Sequence, residues 1–141
     1  AMTLEAWVYP TSASSSWNDA IYKGNDNYYL MASSFSLGQP AAGGIFAGSH
    51  GEVFAPNALP LNTWTHLAAT YDGTTVRLYL NGTLADSKAQ TGTLATSSNP
   101  LTIGGDPIFG QYFQGRIDEI RIYNTALTQP QLQTDMTTPI T

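Results

Sequence analysis

Apolar and polar residues alternate along much of this chain with the period of two that is typical of β-strands. In residues 3–9, Leu4, Ala6 and Val8 take alternate positions, and polar or aromatic residues stand between them. A half-buried strand has this pattern, because successive side chains point to opposite faces of a sheet. Pro10 ends the segment, since it has no amide hydrogen to donate to a neighbouring strand.

A second patterned region covers residues 64–88 and contains three strand-like runs separated by short turns. The turns are Asp72-Gly73 and Asn81-Gly82. Both dipeptides readily supply the positive φ angles that a tight hairpin needs. The pattern therefore predicts an antiparallel meander with strands at 64–71, 75–80 and 83–88.

The rest of the chain contains further short strands and a single helical segment. The segments predicted as strands are 20–22, 28–33, 101–103 and 115–123, with weaker ones at 35–37, 44–47 and 52–54. Thr128 followed by Gln131 is typical of a capping box at a helix start. Because the strands do not alternate with helices, the pattern predicts an all-β fold. We expect a two-sheet antiparallel β-sandwich with one short C-terminal helix, in a single domain over residues 1–141.

Composition excludes several classes of partner and chemistry. Only 11% of the residues are charged, the net charge is −5, and Lys and Arg together number five. No basic patch can be assembled from so few cations, so we expect no nucleic-acid partner and no anionic membrane surface. The chain has no cysteine and no apolar run long enough for membrane insertion.

Four blocks of sequence carry a resemblance to a known family. They are residues 2–10, 61–82, 101–105 and 115–128, which include Leu4-Glu5-Ala6-Trp7-Val8 and Ile117-Asp118-Glu119-Ile120. In this order they resemble the laminin G-like, concanavalin-A-like jelly-roll domains of bacterial proteins. The resemblance implies a secreted or cell-surface bacterial module that binds a glycan or cell-surface ligand, as a lectin or in cell adhesion.

The resemblance also implies that further strands precede this segment. Members of the family usually begin with additional N-terminal strands, so the domain is expected to be N-terminally incomplete. A sheet with an unfilled position tends to pair with another strand. We therefore expect a partner chain or a second copy of this chain to supply the missing strands.

Asp118 is the candidate metal ligand. Strict alternation through residues 116–123 places Asp118 on the same face as Ile120 and Ile122, where a bare carboxylate would be costly. Three kinds of partner could stabilise this carboxylate: a hard cation such as Ca²⁺, the side chain of Arg116 on the same face, or nearby Ser and Thr hydroxyls. The resemblance implies a structural calcium held by Asp118.

Catalytic patterns are not found in the sequence. The ten acidic residues are scattered and form no closely spaced pair of the kind glycosidases use. Neither His50 nor His66 accompanies a Gly-x-Ser-x-Gly motif. We therefore expect a protein that is not an enzyme.

Aromatic residues near loops are the candidates for ligand contact. Sugar rings present apolar C–H faces to aromatic side chains and hydroxyls to polar ones. The residues predicted to touch a ligand are Trp17, Tyr28, His50, Phe109 and Tyr112. Two alternatives stay open: the loop that contains Phe109 and Tyr112 could plug the end of the sandwich, and the domain could be a structural spacer or a protein–protein interaction module.

Overall fold

The computed structural model describes residues 1–35 and 37–141. In this part of the chain, ten strands and one helix form a sandwich of two antiparallel sheets, which confirms the predicted fold class. The elements are β1 (Met2–Pro10), β2 (Asn18–Lys23), β3 (Tyr28–Ser33), β4 (Ala41–Phe46), β5 (Ser49–Phe54), β6 (Thr65–Tyr71), β7 (Thr75–Leu80), β8 (Thr83–Ala89), β9 (Leu101–Ile103), β10 (Gly115–Tyr123) and α1 (Gln129–Thr137).

The chain crosses between the two sheets, as a jelly roll does. Sheet A has the strand order β10-β1-β6-β7-β8, and sheet B has the order β5-β4-β3-β2-β9. Neighbouring strands pair antiparallel throughout both sheets. β1 is therefore flanked by β6 and β10, which are far from it in sequence, and most of its surface is buried.

The core fills the space between the sheets. Leu4, Ala6 and Val8 of β1 are completely buried in it, as their alternation predicts. Ile21 and Leu30 of sheet B pack into the same cluster. Since the inner faces are apolar, any ligand chemistry must lie on the outer faces or at the ends of the strands.

The meander forms as predicted. Asn81 and Gly82 have φ angles of 48° and 74°, the two positive values that a type I′ hairpin turn requires. At the other turn Gly73 has a φ of 99°, and Asp72 Oδ1 accepts hydrogen bonds of 2.9 Å from the backbone N–H groups two and three residues later.

A bulge in β10 overturns the predicted orientation of Asp118. The register with β1 shifts by one residue between Asp118 and Arg121, and Glu119 adopts a φ of 53° there. Asp118 therefore lies on the outer face and is exposed, whereas Ile117 packs against the core. The expectation of a core-facing carboxylate was wrong, because one extra residue inverts the alternation that follows it.

Helix α1 covers part of the outer face of sheet A. The backbone N–H of Thr128 donates to Gln131 Oε1 at 2.8 Å, as the predicted capping box requires. Leu132 is completely buried against Ala68 and Tyr79 of the sheet. The helix thus shields this part of the outer face from solvent.

Two weaker predictions need correction. The strand expected at 44–47 is the longer β4, and the described ends of the segment expected at 35–37 do not belong to a strand. Phe35 and Leu37 lie in a turn, and Ser36 is outside the described residues. Across the described ranges, no helix has the length and apolar character to span a bilayer.

Candidate ligand-binding site

The outer face of sheet B carries an aromatic and polar cavity. His50 and Glu52 of β5 stand two residues apart and so point to the same face. Tyr29 of β3 points to that face as well. A cavity of about 300 Å³ lies over these side chains, and its lining residues are Trp17, Asp26, Tyr29, Met31, His50, Glu52, Phe109 and Gln111.

Gly43 of β4 allows Tyr29 to reach across the sheet. β4 lies between β3 and β5, and Gly43 pairs with Tyr29 on one side and with Glu52 on the other. A Cβ at position 43 would lie 2.8 Å from the Tyr29 hydroxyl and 2.9 Å from Glu52 Cβ. The missing side chain therefore leaves the space through which the hydroxyl contacts β5.

A hydrogen-bonded cluster of three side chains forms the polar part of the cavity. The Tyr29 hydroxyl donates to Glu52 Oε2 at 2.9 Å and lies 3.0 Å from His50 Nε2. Burial, reinforced by the charge of Glu52, raises the pKa of Tyr29, so the phenol keeps its proton. The side chains of His50 and Glu52 are 46% and 28% exposed, so both can contact a ligand from solvent.

Aromatic rings form two sides of the same cavity. Trp17 packs nearly edge-on to Tyr29, with ring centroids 6.1 Å apart, and also contacts Phe54 at 6.0 Å. Phe109, on the loop after β9, packs edge-on to Tyr22 at 6.4 Å and is 52% exposed. Apolar walls beside directional polar groups are what a site for sugar rings requires.

The structure brings together three of the five predicted ligand contacts. Trp17, His50 and Phe109 all line this cavity. Tyr28 does not, because its side chain packs toward the core. Tyr112 is 60% exposed but lines a different cavity of about 510 Å³ at one end of the sandwich, beside the serine-rich loop of residues 12–16.

Five lining residues of the cavity are not among the ligand contacts predicted from the sequence. They are Asp26, Tyr29, Met31, Glu52 and Gln111. The period of two could have found Tyr29 and Glu52: Tyr29 stands on the face opposite the core residue Leu30, and Glu52 shares the face of His50. Asp26 and Gln111 lie on turns or loops outside the strands, where the period of two gives no signal.

Two buried carboxyl groups lie side by side, one on β2 and one on the loop that carries Phe109. Asp19 and Asp106 are 0% and 1% exposed. Burial, together with the adjacent Asp106, raises the pKa of Asp19 to about 8. In residues 1–35 and 37–141, no group of three or more His, Cys, Asp and Glu side chains could hold a metal.

Asp118 is far from this arrangement in the fold, on the edge strand of the other sheet. Its Oδ1 accepts a 2.8 Å hydrogen bond from the backbone N–H of Glu119. A calcium ion held by Asp118 stays a prediction from the resemblance.

The chain as a whole matches one protein family. The family model described as the concanavalin A-like lectin/glucanases superfamily, Laminin_G_3, matches residues 1–133. The chain belongs to this family. The resemblance to laminin G-like jelly-roll domains is thereby confirmed.

Solved structures share the fold. A protein of Bacteroides ovatus ATCC 8483, named as a candidate carbohydrate-binding protein, has a TM-score of 0.78 at 21% identity, over 94% of this chain and 39% of its own. Domain 4 of AbnA, an extracellular GH43 arabinanase of Geobacillus stearothermophilus, in complex with arabinotriose, has a TM-score of 0.72 at 25% identity, over 95% of this chain and 65% of its own. The binding domain of Paraclostridial Mosquitocidal Protein 1 has a TM-score of 0.69 at 18% identity, over 94% of this chain and 36% of its own.

Curated relatives match a shorter segment. Pappalysin-1 of Mus musculus is 38% identical over 80 residues, which is 53% of this chain and 5% of that protein. Pappalysin-1 of Homo sapiens is 36% identical over 80 residues, with the same coverage. The chain thus spans about one twentieth of these relatives, and they identify a domain rather than a whole protein.

Proposed function

We propose that this domain is a non-catalytic binding module of an extracellular or cell-surface protein, and that it binds neutral glycans on the outer face of sheet B. One observation supports this most directly. The half-buried ring of Trp17 and the exposed ring of Phe109 flank the Tyr29–His50–Glu52 cluster in one cavity. A pyranose or furanose ring would pack against the aromatic walls, and its hydroxyls would bond to the cluster.

Charge favours a neutral ligand. Two carboxylates, Asp26 and Glu52, line the cavity, and of its described lining residues none is Lys or Arg. An acidic sugar would therefore meet like charge with no compensating cation. Neutral sugar hydroxyls, in contrast, can donate to both carboxylates.

The hydrogen bonds of the two carboxylates favour binding over hydrolysis. Glycosidases use one carboxylic acid as a proton donor and a second carboxylate as nucleophile or base. Here Asp26 Oδ1 accepts a 2.9 Å hydrogen bond from the hydroxyl of Tyr22, and Glu52 Oε2 accepts one from Tyr29. Both groups are held as acceptors and position aromatic rings.

The relatives support the same function. The Bacteroides ovatus protein is named for carbohydrate binding, and the arabinanase domain was solved with arabinotriose. The arabinanase is also described as extracellular, which favours the same location here. We carry over the general class of ligand only, because the identities are 21% and 25%.

A glycan array of neutral and acidic oligosaccharides, followed by calorimetry with each binder and with arabinotriose, tests the proposal. We expect binding to neutral sugars, and a loss of roughly tenfold or more in affinity for Trp17→Ala. Trp64→Ala is the matched control, since this tryptophan is 39% exposed and lies outside the cavity lining. It should bind as the wild type does.

Three results would contradict the proposal. The wild type could bind no oligosaccharide on the array, or Trp17→Ala could bind with unchanged affinity. Release of new reducing ends from a bound oligosaccharide by the wild type, lost in Glu52→Gln, would instead show a glycosidase.

A second candidate function is self-association by strand pairing. It is favoured by the edge strand β10 of sheet A, which has an exposed apolar side chain. β10 pairs only with β1 among the described strands. Ile122 on β10 is 45% exposed, and Ile103 on the edge strand β9 of the other sheet is 50% exposed.

Light scattering over a concentration series tests this second candidate. The wild type should reach twice the monomer mass, and Ile122→Lys should stay monomeric because a lysine on an edge opposes pairing. A wild type that is monomeric at every concentration would rule it out.

A further inference from the structure

Two cavities of this protein share a wall. Trp17 lines the cavity of about 300 Å³ on the outer face of sheet B, and its neighbour Asn18 lines the cavity of about 510 Å³ at the end of the sandwich. Gln111 and Tyr112, on the loop after β9, divide between the two cavities in the same way. The outer-face cavity and the end cavity therefore lie on either side of one ridge, which these four residues form.

Hydrogen bonds hold the ridge in place. The side-chain amide of Asn18 donates to the carbonyl oxygens of Trp17 and Tyr112, both at 2.9 Å. Asn18 Oδ1 lies 2.7 Å from the hydroxyl of Ser33, which can donate to it. Since one side chain joins both segments of the ridge, the two cavities keep a fixed position relative to each other.

Tyr112 presents an exposed ring on the end-cavity side of the ridge. The residue is 60% exposed, and its ring packs against Gly105, where a Cβ atom would collide with it. The backbone N–H of Phe113 donates to the carbonyl of Gly104 at 3.0 Å, which fixes the chain beside the ring. A ring that is already held in place can pack against the apolar face of a sugar at a low entropic cost.

The serine-rich loop of residues 12–16 forms another wall of the end cavity. This loop lies close to Gly38, where a Cβ atom would collide with the carbonyl oxygen of Ser14. Gly38 also has a φ of 70°, which a residue with a side chain rarely adopts. The close approach of the two loops therefore depends on glycine at this position.

The end cavity offers hydroxyl and amide groups together with apolar surface. Ser12, Ser15 and Gln114 line it, as does Leu61, which is 43% exposed. Among its described lining residues none is Asp, Glu, Lys, Arg or His. Sugar hydroxyls can donate to such groups and accept from them, whereas an ionic ligand would lose hydration without meeting an opposite charge.

We propose that one linear oligosaccharide of neutral sugars occupies both cavities, with its chain crossing the ridge beside Tyr112. This inference rests on the proposed function, because it extends the same site. Each cavity has the volume of a site for a small ligand. A single sugar unit contacts one cavity only, so the two together favour a chain of linked units.

The affinity of such a site depends on the length of the ligand. Once a few units occupy the outer-face cavity, the contacts in the end cavity form within the same complex. The second contact then benefits from a high effective concentration, and the affinity rises well beyond that of either contact alone. A short oligosaccharide gains nothing from the end cavity.

Calorimetry with arabino-, cello- and malto-oligosaccharides of three and six units tests the inference. In the series that binds, the wild type should bind the hexasaccharide roughly 100-fold more tightly than the trisaccharide. Tyr112→Ala should lower this ratio to about fourfold, because a hexasaccharide can occupy a three-unit site in about four registers. It should bind the trisaccharide as the wild type does, and Trp17→Ala should weaken the binding of both ligands.

Tyr112→Phe is the matched control, since it keeps the ring and should keep the ratio of affinities. Leu61→Ala keeps the test decisive if thermal unfolding shows that Tyr112→Ala disturbs the loop. It removes an apolar side chain from a different loop of the end cavity and should weaken hexasaccharide binding by roughly threefold, with trisaccharide binding unchanged.

The possible failures can be told apart. If the wild type binds the hexasaccharide no more than about fourfold more tightly than the trisaccharide, and Trp17→Ala weakens both, the inference is overturned and the proposed function stands. If no oligosaccharide of either length binds, both are overturned. A ratio near 100-fold that a folded Tyr112→Ala retains would also overturn the inference, because the additional units would then bind elsewhere.

Discussion

The two outer faces of the sandwich carry the same pair of residue types in opposite environments. On sheet A, His66 Nε2 lies 3.3 Å from Glu5 Oε1, and both side chains are 0% exposed. On sheet B, His50 Nε2 lies 4.0 Å from Glu52 Oε2, and the side chains are 46% and 28% exposed. A histidine and a glutamate thus form a structural pair on one face and part of an open cavity on the other.

The two pairs differ in exposure because different elements pack over the two outer faces. Leu132 anchors helix α1 on sheet A, and the helix brings Asp135 close to Glu5 and Tyr123. On sheet B, the candidate site is bounded by loop residues such as Trp17 and Phe109, which leave a cavity between them. The identity of a side chain therefore does not decide its role; the element packed over it does.

Burial sets the chemistry of the covered pair. Desolvation raises the pKa of Glu5, and the neighbouring Asp135 adds to the rise while His66 opposes it. The Tyr123 hydroxyl donates to Asp135 Oδ2 at 2.6 Å, and this hydrogen bond raises the pKa of Tyr123 to about 12. The covered face is a closed polar network, in which removing one member leaves the others unpaired.

The largest effect is expected from His66→Ala. It deletes a completely buried side chain and leaves a cavity and an unpaired polar group beside Glu5, which should lower the free energy of unfolding by about 3–5 kcal/mol. Chemical denaturation measures the change. A loss below about 1 kcal/mol would mean that the pair contributes little to stability.

Removing the anchor of the covering helix should have the next largest effect. Leu132→Ala deletes a completely buried side chain and should cost about 3 kcal/mol. Hydrogen exchange of the β1 and β6 amides should also become faster, because the helix covers these strands. Unchanged stability would show that the helix does not hold the face closed.

The pH dependence of stability should separate the two faces further. Because the folded-state pKa of Glu5 is raised, folded protein keeps a proton that unfolded protein has lost. The stability that this group contributes is complete below its unfolded pKa of about 4.3 and is lost as pH rises through the folded value. Glu5→Gln should therefore gain stability relative to wild type from pH 4 upward, which denaturation at several pH values would measure. If the difference in unfolding free energy between Glu5→Gln and wild type stayed constant with pH, the raised pKa of Glu5 would be contradicted.

The smallest effect on stability is expected on the open face. His50→Ala should change the free energy of unfolding by no more than about 0.5 kcal/mol, because the side chain is nearly half exposed. Its effect should be on glycan affinity. A large loss of stability would show that the open cluster, like the covered one, is structural.

Much of the fold could be predicted from local patterns. The alternation of Leu4, Ala6 and Val8 and the turn at Asn81-Gly82 each follow from chemistry within a few residues. Asp118 shows where such reasoning stops. Its orientation depends on a bulge in the pairing with β1, more than 100 residues away in sequence, and no local pattern in β10 reveals that register.

The candidate site was only half predictable for the same reason. Trp17 and Phe109 could be selected as aromatic residues in or near loops, and His50 as a loop histidine. Tyr28, however, was selected in place of its neighbour Tyr29. Which of two adjacent tyrosines faces the core depends on the packing of two sheets, which a short strand alone does not specify.

The amino-acid sequence by itself determined most of the strands, the turns, the two-sheet class and the small number of basic residues, because these follow from residue types and near neighbours. The tertiary structure alone decided which face of each sheet is open, that Gly43 leaves room for the Tyr29 hydroxyl to reach Glu52, and that Asp19 lies beside Asp106. The physical reason is distance along the chain: these contacts join residues on different strands and loops, and only their packing fixes the separations.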